Sequence, residues 1–307
     1  MYSCWTVLEK MRIGYPCKNL TLENPNASTF RLKSFSENRL NETVRNNLHY
    51  LLKILRFNKK NNILFFRISS DIIPFASHPI CQTDWSHTFK TELNEIGDFI
   101  KKNNMRVSMH PDQFVILNST NENIIKNSVR ELQYHSKILE SMALPTDAKI
   151  QIHVGGVYGD KDTAKERFVS NLNKLERSLK ERIIIENDDK SYSLEDCLDI
   201  HKETGNPIVF DTLHHECLNH NETMQEALSC STKTWEYNSD GNPIIDYSSQ
   251  SMGERKGKHA KTIDKNHFIM CYKELDEFIR RESIDLDVML EIKDKENSAI
   301  LSLDFIK

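Results

Sequence analysis

The sequence predicts a single (β/α)8 TIM barrel, and two regularities along the chain indicate it. Eight short apolar runs recur through the 307 residues, and each has the length of a buried strand. Longer segments in which apolar residues follow helical spacing separate most of these runs. Strands joined by helical crossovers pair in parallel, and eight such units close most simply into a barrel. A doubly wound open sheet is the alternative, although the chain has no GxGxxG fingerprint and no Walker loop.

The boundaries of the elements follow from the same patterns. The predicted strands are 11–15, 63–69, 105–110, 149–154, 183–187, 207–211, 243–247 and 286–292. The predicted helices are 38–57, 85–103, 121–142, 163–180, 193–204, 222–229, 264–281 and 295–304. Residues 1–10 are expected to form an N-terminal extension. The polar, turn-rich stretch 231–263, which surrounds the seventh strand, is expected to form an irregular region on the active face.

Composition limits the classes of function. The formal net charge of −4 argues against a surface coated in positive charge, so any grip on nucleic acid depends on local basic patches or bound metal ions. No apolar run reaches the roughly 18 residues that span a bilayer, and the first residues do not read as a secretory signal. The seven cysteines are odd in number and form no CxxC pair, which favours a reducing intracellular compartment, cytoplasm or nucleus. One barrel is self-sufficient, so a monomer without an obligate protein partner is expected.

Side chains of the kinds that bind metals follow the predicted strands. They end six strands or lie in the loops beyond them: His110, His153, Glu186, Asp211, His214, Asp246, His259 and Glu291. Each alone is more often an ordinary surface histidine or a helix-capping carboxylate. Together they would converge at the C-terminal face of a barrel, where buried charges without partners are costly unless metal ions neutralise them.

The composition of this set indicates the metal and the chemistry. Imidazole and carboxylate without thiolate suit Mn²⁺ or Zn²⁺, with Co²⁺ or Mg²⁺ as alternatives. The candidates exceed what one tetrahedral ion needs, so two or three ions are expected, with Glu186 bridging. Clustered divalent ions suit phosphodiester hydrolysis.

At these residues the sequence resembles the ultraviolet damage endonuclease family, relatives of the endonuclease IV barrels. The matching segments span about residues 11 to 298: RIGYPC at Arg12, FRISSDIIPFASHP at Phe66, SMHPDQF at Ser108, IHVGG at Ile152, IENDD at Ile185, VFDTLHH at Val209 and MLEIKDKE at Met289. The resemblance implies a TIM barrel with a Mn²⁺-supported metal cluster. It also implies incision immediately 5′ to cyclobutane pyrimidine dimers and 6-4 photoproducts, which leaves a 3′-hydroxyl and a 5′-phosphate.

The resemblance also assigns residues. It implies all the ligand candidates above except Asp246, and we expect Glu186, His110, Glu291 and Lys293 to take part in catalysis. Gln113 and Phe114 resemble a pair that probes the lesion, and Tyr15 matches another aromatic that contacts damage. A photodimer is poorly stacked, so such wedges can enter beside it at reduced cost. Candidates for contacts to the DNA backbone are Lys18, Arg31, Lys33, Arg67, Arg255, Lys256, Lys258 and Lys261, with Lys293 and Lys295 near the scissile phosphate.

The chain departs from the family at the seventh strand. Ile244, Ile245 and Asp246 stand where the family usually has Lys-x-His, so a lysine beside the metals is missing and a carboxylate replaces an imidazole. Phe114 stands where relatives often have tyrosine. Three alternatives stay open on the sequence: a metal-dependent sugar isomerase or epimerase, an abasic-site endonuclease of the same superfamily, and a protein that binds damage without cleaving DNA.

Overall fold

The computed structural model describes residues 10–23 and 29–307, so all but the last residue of the predicted extension 1–10 lies outside the described residues. The strands are β1 (Met11–Pro16), β2 (Phe65–Ile68), β3 (Arg106–Met109), β4 (Lys149–His153), β5 (Ile183–Glu186), β6 (Ile208–Asp211), β7 (Ile244–Tyr247) and β8 (Leu286–Leu290). The helices are α1 (Glu37–Lys60), α2 (Trp85–Thr88), α3 (Lys90–Lys102), α4 (Glu122–Ser141), α5 (Lys161–Asn173), α6 (Arg177–Lys180), α7 (Leu194–Thr204), α8 (Thr212–Cys217), α9 (Met224–Thr232), α10 (Tyr237–Asp240), α11 (Lys265–Glu282) and α12 (Glu296–Phe305).

The eight strands close into a barrel in the order β1 to β8, and every neighbouring pair is parallel. This confirms the predicted (β/α)8 TIM barrel, and each strand lies where the sequence predicted it. Two predicted helices, 85–103 and 163–180, are each divided into two. The short helix α8 follows β6 without a gap, and the sequence analysis did not predict it.

Local sequence signals explain where the helices begin and end. Ser36 caps α1 by accepting a hydrogen bond from the Arg39 amide, and Ser193 and Asp196 form a capping box at α7. Helix α7 ends at Gly205, whose φ of 75° suits the left-handed conformation. None of the helices in the described part of the chain is long and apolar enough to cross a membrane. The six described cysteines are free thiols.

The side chains inside the barrel form an apolar layer and, above it, a polar layer that holds the candidate ligands. One apolar residue from each of five strands packs with Trp235 into a buried cluster: Phe65, Ile184, Val209, Ile244 and Met289. Side chains alternate along a strand, so the residue two positions later points the same way. Those positions hold the polar residues Arg67, Glu186, Asp211, Asp246 and Glu291. Ile244 therefore belongs to the apolar layer, directly below the polar one.

The opposite end of the barrel is closed by buried ion pairs, and they correct one prediction. Lys149 begins β4, and its Nζ donates to the Asp240 carboxylate at 2.6 Å. Arg106 begins β3, and its Nη2 donates to the Asp240 carbonyl at 2.6 Å. Asp240 therefore lies at the N-terminal ends of the strands. Only the second half of the predicted active-face region, 248–263, follows a strand onto the active face, and 231–243 lies at the other end.

Candidate active site

The predicted ligands converge at the C-terminal ends of the strands. Their ligand atoms form three groups in which all lie within 4.8 Å of one another: His110, His153 and Glu186; Asp211, His214 and His259; and Glu186, Asp211 and Asp246. Seven of the eight predicted residues are in these groups. Glu186 and Asp211 each belong to two groups, so they lie where neighbouring ions would share a carboxylate. Their role as ligands stays a prediction.

Glu186 ends β5 and is the centre of the first group. Nε2 of His110 and Nε2 of His153 each lie 3.3 Å from its Oε2 atom. Burial alone would raise the pKa of the Glu186 carboxyl, but the charge of His153 and hydrogen bonds from His110 and His214 hold it well below the ordinary value. A fully buried carboxylate that stays ionised among imidazoles is a strong candidate to hold a divalent cation.

Helix α8 explains the second group. Asp211 ends β6 and caps α8 by accepting a hydrogen bond from the His214 amide at 2.8 Å, which turns His214 back toward the barrel mouth. Nδ1 of His214 donates to the Asn187 carbonyl at 2.9 Å, and Nδ1 of His259 donates to the Glu291 carbonyl at 2.8 Å. Backbone carbonyls that hold Nδ1 leave Nε2 of each ring free to bind a metal ion.

The chemistry of the site fits divalent ions. Oδ2 of Asp211 and Oδ1 of Asp246 are buried, and neither has a hydrogen-bond partner among the described residues. Such buried oxygens are costly to leave unpaired, and a cation would satisfy them. Burial opposes protonation of His214, yet the carboxylates of Asp211, Glu186 and Glu291 raise its pKa to about 11. Carboxylates that raise the pKa of a ring this far make the pocket strongly attractive to cations.

Arg67 differs from its predicted role. The sequence analysis placed it among the DNA-backbone contacts, but its side chain is only 3% exposed. Its Nη2 donates to Oδ2 of Asp246 at 2.8 Å and to Oε1 of Gln151 at 2.8 Å, and its Nη1 donates to Glu291. The guanidinium is thus held by internal partners in the polar layer, at the base of the cavity and not on the outer surface of the barrel. The prediction of a DNA contact is corrected to an internal ion pair.

The same ion pairs change the environment of two predicted ligands. Burial raises the pKa of Asp246 to about 8, although Arg67 opposes the rise. Burial would also raise the pKa of Glu291, but there Arg67 prevails and lowers it to about 2. Glu291 is in none of the three ligand groups and lies between Arg67 and His259. It reaches the candidate metal centre through His259, whose ring it orients.

Gln151 lies among the candidate ligands and is not one of the residues predicted from the sequence. Its Nε2 donates to Glu186 Oε2 and to Asp246 Oδ2, both at 2.6 Å, so one amide links two candidate ligands of the third group. Its position carries a signal, since Gln151 lies two residues before His153 on β4 and therefore points into the same interior. A buried glutamine inside a strand is uncommon unless its amide is fully hydrogen-bonded.

A wide cavity opens above the ligand groups. Its volume is about 1170 Å³, at the upper limit of small-molecule pockets, and its floor includes His110, His153, His214 and His259. Gln113 and Phe114 lie at its rim in the loop after β3, where Phe114 is 61% exposed. Phe114 is therefore a surface residue rather than a core residue, as a lesion probe requires.

Basic side chains line one side of the same cavity. Arg255, Lys258, Lys293 and Lys295 all border it, and all four are among the predicted contacts to the DNA backbone or the scissile phosphate. Lys256 is exposed but is not a lining residue, and its Nζ donates to the Cys217 carbonyl at 2.7 Å. A net charge of −4 is therefore compatible with cations beside the candidate metal centre, although the carboxylates of Asp112, Asp188 and Asp189 border the same cavity.

Tyr15 also departs from its predicted role. Its side chain is fully buried, packs edge-on against Phe66 at 5.2 Å between ring centroids, and donates from its hydroxyl to Asn58 at 2.7 Å. The same hydroxyl accepts a hydrogen bond from Asn19. The structure therefore places Tyr15 in the core under the β1 loop, which corrects its assignment to lesion contact.

Comparison with known proteins identifies a family for this barrel. The model of the family described as UV-endonuclease UvdE matches residues 11–305. The chain belongs to the UV-endonuclease UvdE family. A curated relative from Clostridium perfringens (strain 13 / Type A), the UV DNA damage endonuclease, is 42% identical over 298 residues, which cover 97% of this chain and 71% of the relative. The crystal structure of SacUVDE superposes with a TM-score of 0.90 at 44% identity, covering 96% of this chain and 97% of that one.

Membership of the UvdE family confirms the predicted resemblance and the predicted enzyme class. A more distant likeness, to endonuclease IV from Thermus thermophilus, has a TM-score of 0.57 at 14% identity and covers 84% of this chain and 93% of that one. At that identity it shows the barrel fold alone. The sugar isomerase or epimerase that the sequence left open is not supported, because the family match extends over nearly the whole chain.

Proposed function

We propose that this UvdE-family protein nicks duplex DNA immediately 5′ to cyclobutane pyrimidine dimers and 6-4 photoproducts, leaving a 3′-hydroxyl and a 5′-phosphate, in a reaction that depends on divalent metal ions. The observation that carries the proposal is the convergence of three histidine and carboxylate groups on Glu186 and Asp211, within 4.8 Å in each group. This convergence lies beneath a basic cavity whose rim presents Gln113 and Phe114.

The ligand groups would hold two or three ions, with Mn²⁺ preferred and Zn²⁺, Co²⁺ or Mg²⁺ as alternatives. Glu186 would be shared between the first and third groups, and Asp211 between the second and third. When bound, such ions polarise the phosphodiester and lower the pKa of water, the two requirements of phosphodiester hydrolysis. The ligand set has no thiolate, in keeping with hard or borderline cations.

The chain's own residues then position the substrate. Lys258, Lys293 and Lys295 line the cavity and would hold the phosphates on either side of the cleaved bond. Gln113 and Phe114 would enter the helix where the dimer is poorly stacked. Glu291 keeps the His259 ring oriented through its carbonyl at 2.8 Å. We expect the protein to act as a monomer, because all of these residues come from one barrel.

A plasmid relaxation assay tests this proposal together with two alternatives, the abasic-site endonuclease and the protein that binds damage without cleaving DNA. Supercoiled plasmid is prepared in three forms: untreated, irradiated with ultraviolet light, and depurinated. With Mn²⁺, the protein should nick the irradiated form far faster than the untreated one. DNA ligase should then reseal the plasmid, because it joins only nicks that carry a 3′-hydroxyl and a 5′-phosphate. Nicking confined to depurinated plasmid would favour the abasic-site alternative. Binding to irradiated plasmid without nicking in any of the four metals would favour the binding-only alternative.

A further inference from the structure

The segment 250–259, which lies between β7 and α11, folds back on itself as an arm. Gln250 and His259 form an antiparallel bridge at its base. Further out, the Ser251 amide donates to the Lys258 carbonyl at 2.7 Å. These are the hydrogen bonds of a short hairpin, so the arm rises from the candidate metal centre with a defined direction.

The side chain of Gln250 makes the arm rigid from within. Its Nε2 donates to the Arg255 carbonyl at 2.9 Å, and its Oε1 accepts from the Gly257 amide at 2.8 Å. These hydrogen bonds connect the first strand of the arm to the residues after its turn, and so they fix the conformation of the turn. The turn presents Met252, which is 96% exposed and is the most exposed large apolar side chain in the described part of the chain.

The arm lies opposite the loop that carries Phe114. In a closed barrel of eight strands ordered β1 to β8, β3 and β7 are four strands apart in both directions. The loop after β3 and the arm after β7 therefore rise on opposite sides of the cavity, and both contribute residues to its lining. Each of the two segments carries an exposed apolar side chain: Phe114 is 61% exposed and Met252 is 96% exposed.

We propose that Met252 is a second apolar contact to the damaged duplex, and that it meets the disrupted base step from the side opposite Phe114. This inference rests on the proposed function. The Met252 side chain is almost fully exposed, so it contributes little packing energy to the fold. Its flexible thioether can instead fill the irregular gap beside a poorly stacked dimer. Arg255 and Lys258 on the same arm line the cavity, so phosphate contacts can anchor the arm while its tip enters the duplex.

The test compares three variants on a duplex with one site-specific cyclobutane dimer. Met252→Ser removes the apolar tip, Met252→Leu keeps it, and Met270→Ser removes another exposed methionine (69% exposed), which lies on α11 outside the arm. Steady-state cleavage gives KM and kcat for each variant. The fluorescence of a 2-aminopurine placed opposite the dimer reports base unstacking when the protein binds.

We expect Met252→Ser to lower kcat/KM by about tenfold and to reduce the 2-aminopurine signal, with an unchanged melting temperature. Met252→Leu and Met270→Ser should resemble the wild type. If Met252→Ser matches Met270→Ser in both measurements while the wild type cleaves, the inference is overturned and the proposed function stands. If the wild type neither cleaves nor unstacks the dimer duplex, the proposed function itself fails, and the inference fails with it.

Discussion

Arg67 and Asp246 form a buried ion pair beneath the candidate metal centre, with Nη2 and Oδ2 2.8 Å apart. Asp246 stands where the family resemblance implies a histidine, and one of its two oxygens is already committed to Arg67 and Gln151. Only Oδ1 remains for a metal ion. The departure at the seventh strand therefore gives the internal cation Arg67 a carboxylate partner beside the ligand groups, in the layer above Ile244.

Replacing Arg67 by methionine should destabilise the protein strongly. Glu291, whose pKa Arg67 lowers to about 2, would become a buried carboxylate without its main partner. Removing one partner of a buried ion pair typically costs about 3–5 kcal/mol, and we expect a loss of that size in the free energy of unfolding. Urea denaturation in EDTA measures it.

Asp246→Asn is the matched control for this prediction. Asparagine keeps an oxygen toward Arg67 and Gln151, and the charge that it removes is one that burial disfavours, since burial raises the pKa of Asp246 to about 8. We expect a loss within about 1 kcal/mol. Equal losses for Arg67→Met and Asp246→Asn would contradict the proposed role of Arg67.

Replacing Glu186 by glutamine should abolish cleavage but leave the binding of damaged DNA largely intact. The change removes the charge shared by two ligand groups but leaves the lining of the cavity intact. We expect kcat to fall by at least about 100-fold, while Kd for dimer-containing duplex changes by less than about threefold. Metal content by mass spectrometry should fall in parallel. Glu122→Gln, on the exposed face of α4, is the control and should keep both values. Full metal content in Glu186→Gln would refute the ligand assignment.

The two glycines of the β7 arm make a matched pair. Gly253 and Gly257 have φ values of 73° and 80°, so alanine strains the backbone by a similar amount at each. A Cβ at Gly257 would clash with the Asp189 side chain, whereas a Cβ at Gly253 would meet nothing within 4 Å. Gly257→Ala should therefore displace the arm and with it His259.

We expect Gly257→Ala to lower kcat/KM by about 10- to 100-fold, because small displacements of a catalytic group are costly. Gly253→Ala should stay within about threefold of the wild type. Cleavage assays on the two variants, with melting temperatures measured alongside, provide the comparison. The same loss in both variants would point to backbone strain alone and would remove the argument from Asp189.

His135 predicts how stability depends on pH. The ring is fully buried on α4, where its Nδ1 donates to the Glu131 carbonyl at 2.7 Å, and burial lowers its pKa to about 4. Between pH 6.5 and pH 4 the unfolded chain binds a proton that the folded chain excludes. The contribution is therefore fully present above pH 6.5 and is lost as pH falls toward 4, with a total of about 3 kcal/mol.

The variant His135→Met isolates this contribution. Urea denaturation at pH 7, 6, 5 and 4.5 should show a smaller loss of stability on acidification than in the wild type. His49, an exposed histidine on α1, provides the control through His49→Met. If His135→Met loses stability with the same pH slope as the wild type, the buried neutral ring of His135 is not the cause of the pH dependence between pH 6.5 and pH 4.

The fold and the convergence of the candidate ligands were predictable because both depend on local pattern. The strand runs have the length and composition of buried strands, and His153, Glu186 and Asp211 end their strands, so parallel closure alone brings them together. Gln113 and Phe114 were assigned through the family resemblance, and the end of β3 places them beside the cavity. Period and strand direction were sufficient only for the convergence of the residues that end the strands.

The remaining assignments depend on contacts between distant segments, which a single sequence does not reveal. Arg67 looked like a surface cation, but its partner Asp246 is 179 residues away. Tyr15 looked like a probing aromatic, but Asn58 and Phe66 hold it in the core. The stretch 231–243 is polar at either end of a barrel, and contacts such as those of Asp240 with Arg106 and Lys149 locate it.

The most direct test of the central claim uses a labelled duplex with one site-specific cyclobutane dimer, incubated with the purified protein in Mn²⁺ and then in excess EDTA. If the ligand groups around Glu186 hold catalytic ions, Mn²⁺ should give a single nick immediately 5′ to the dimer, EDTA should abolish it, and fresh Mn²⁺ should restore it. A nick of equal rate in EDTA, or no nick from folded protein in any of Mn²⁺, Mg²⁺, Co²⁺ and Zn²⁺, would contradict the claim.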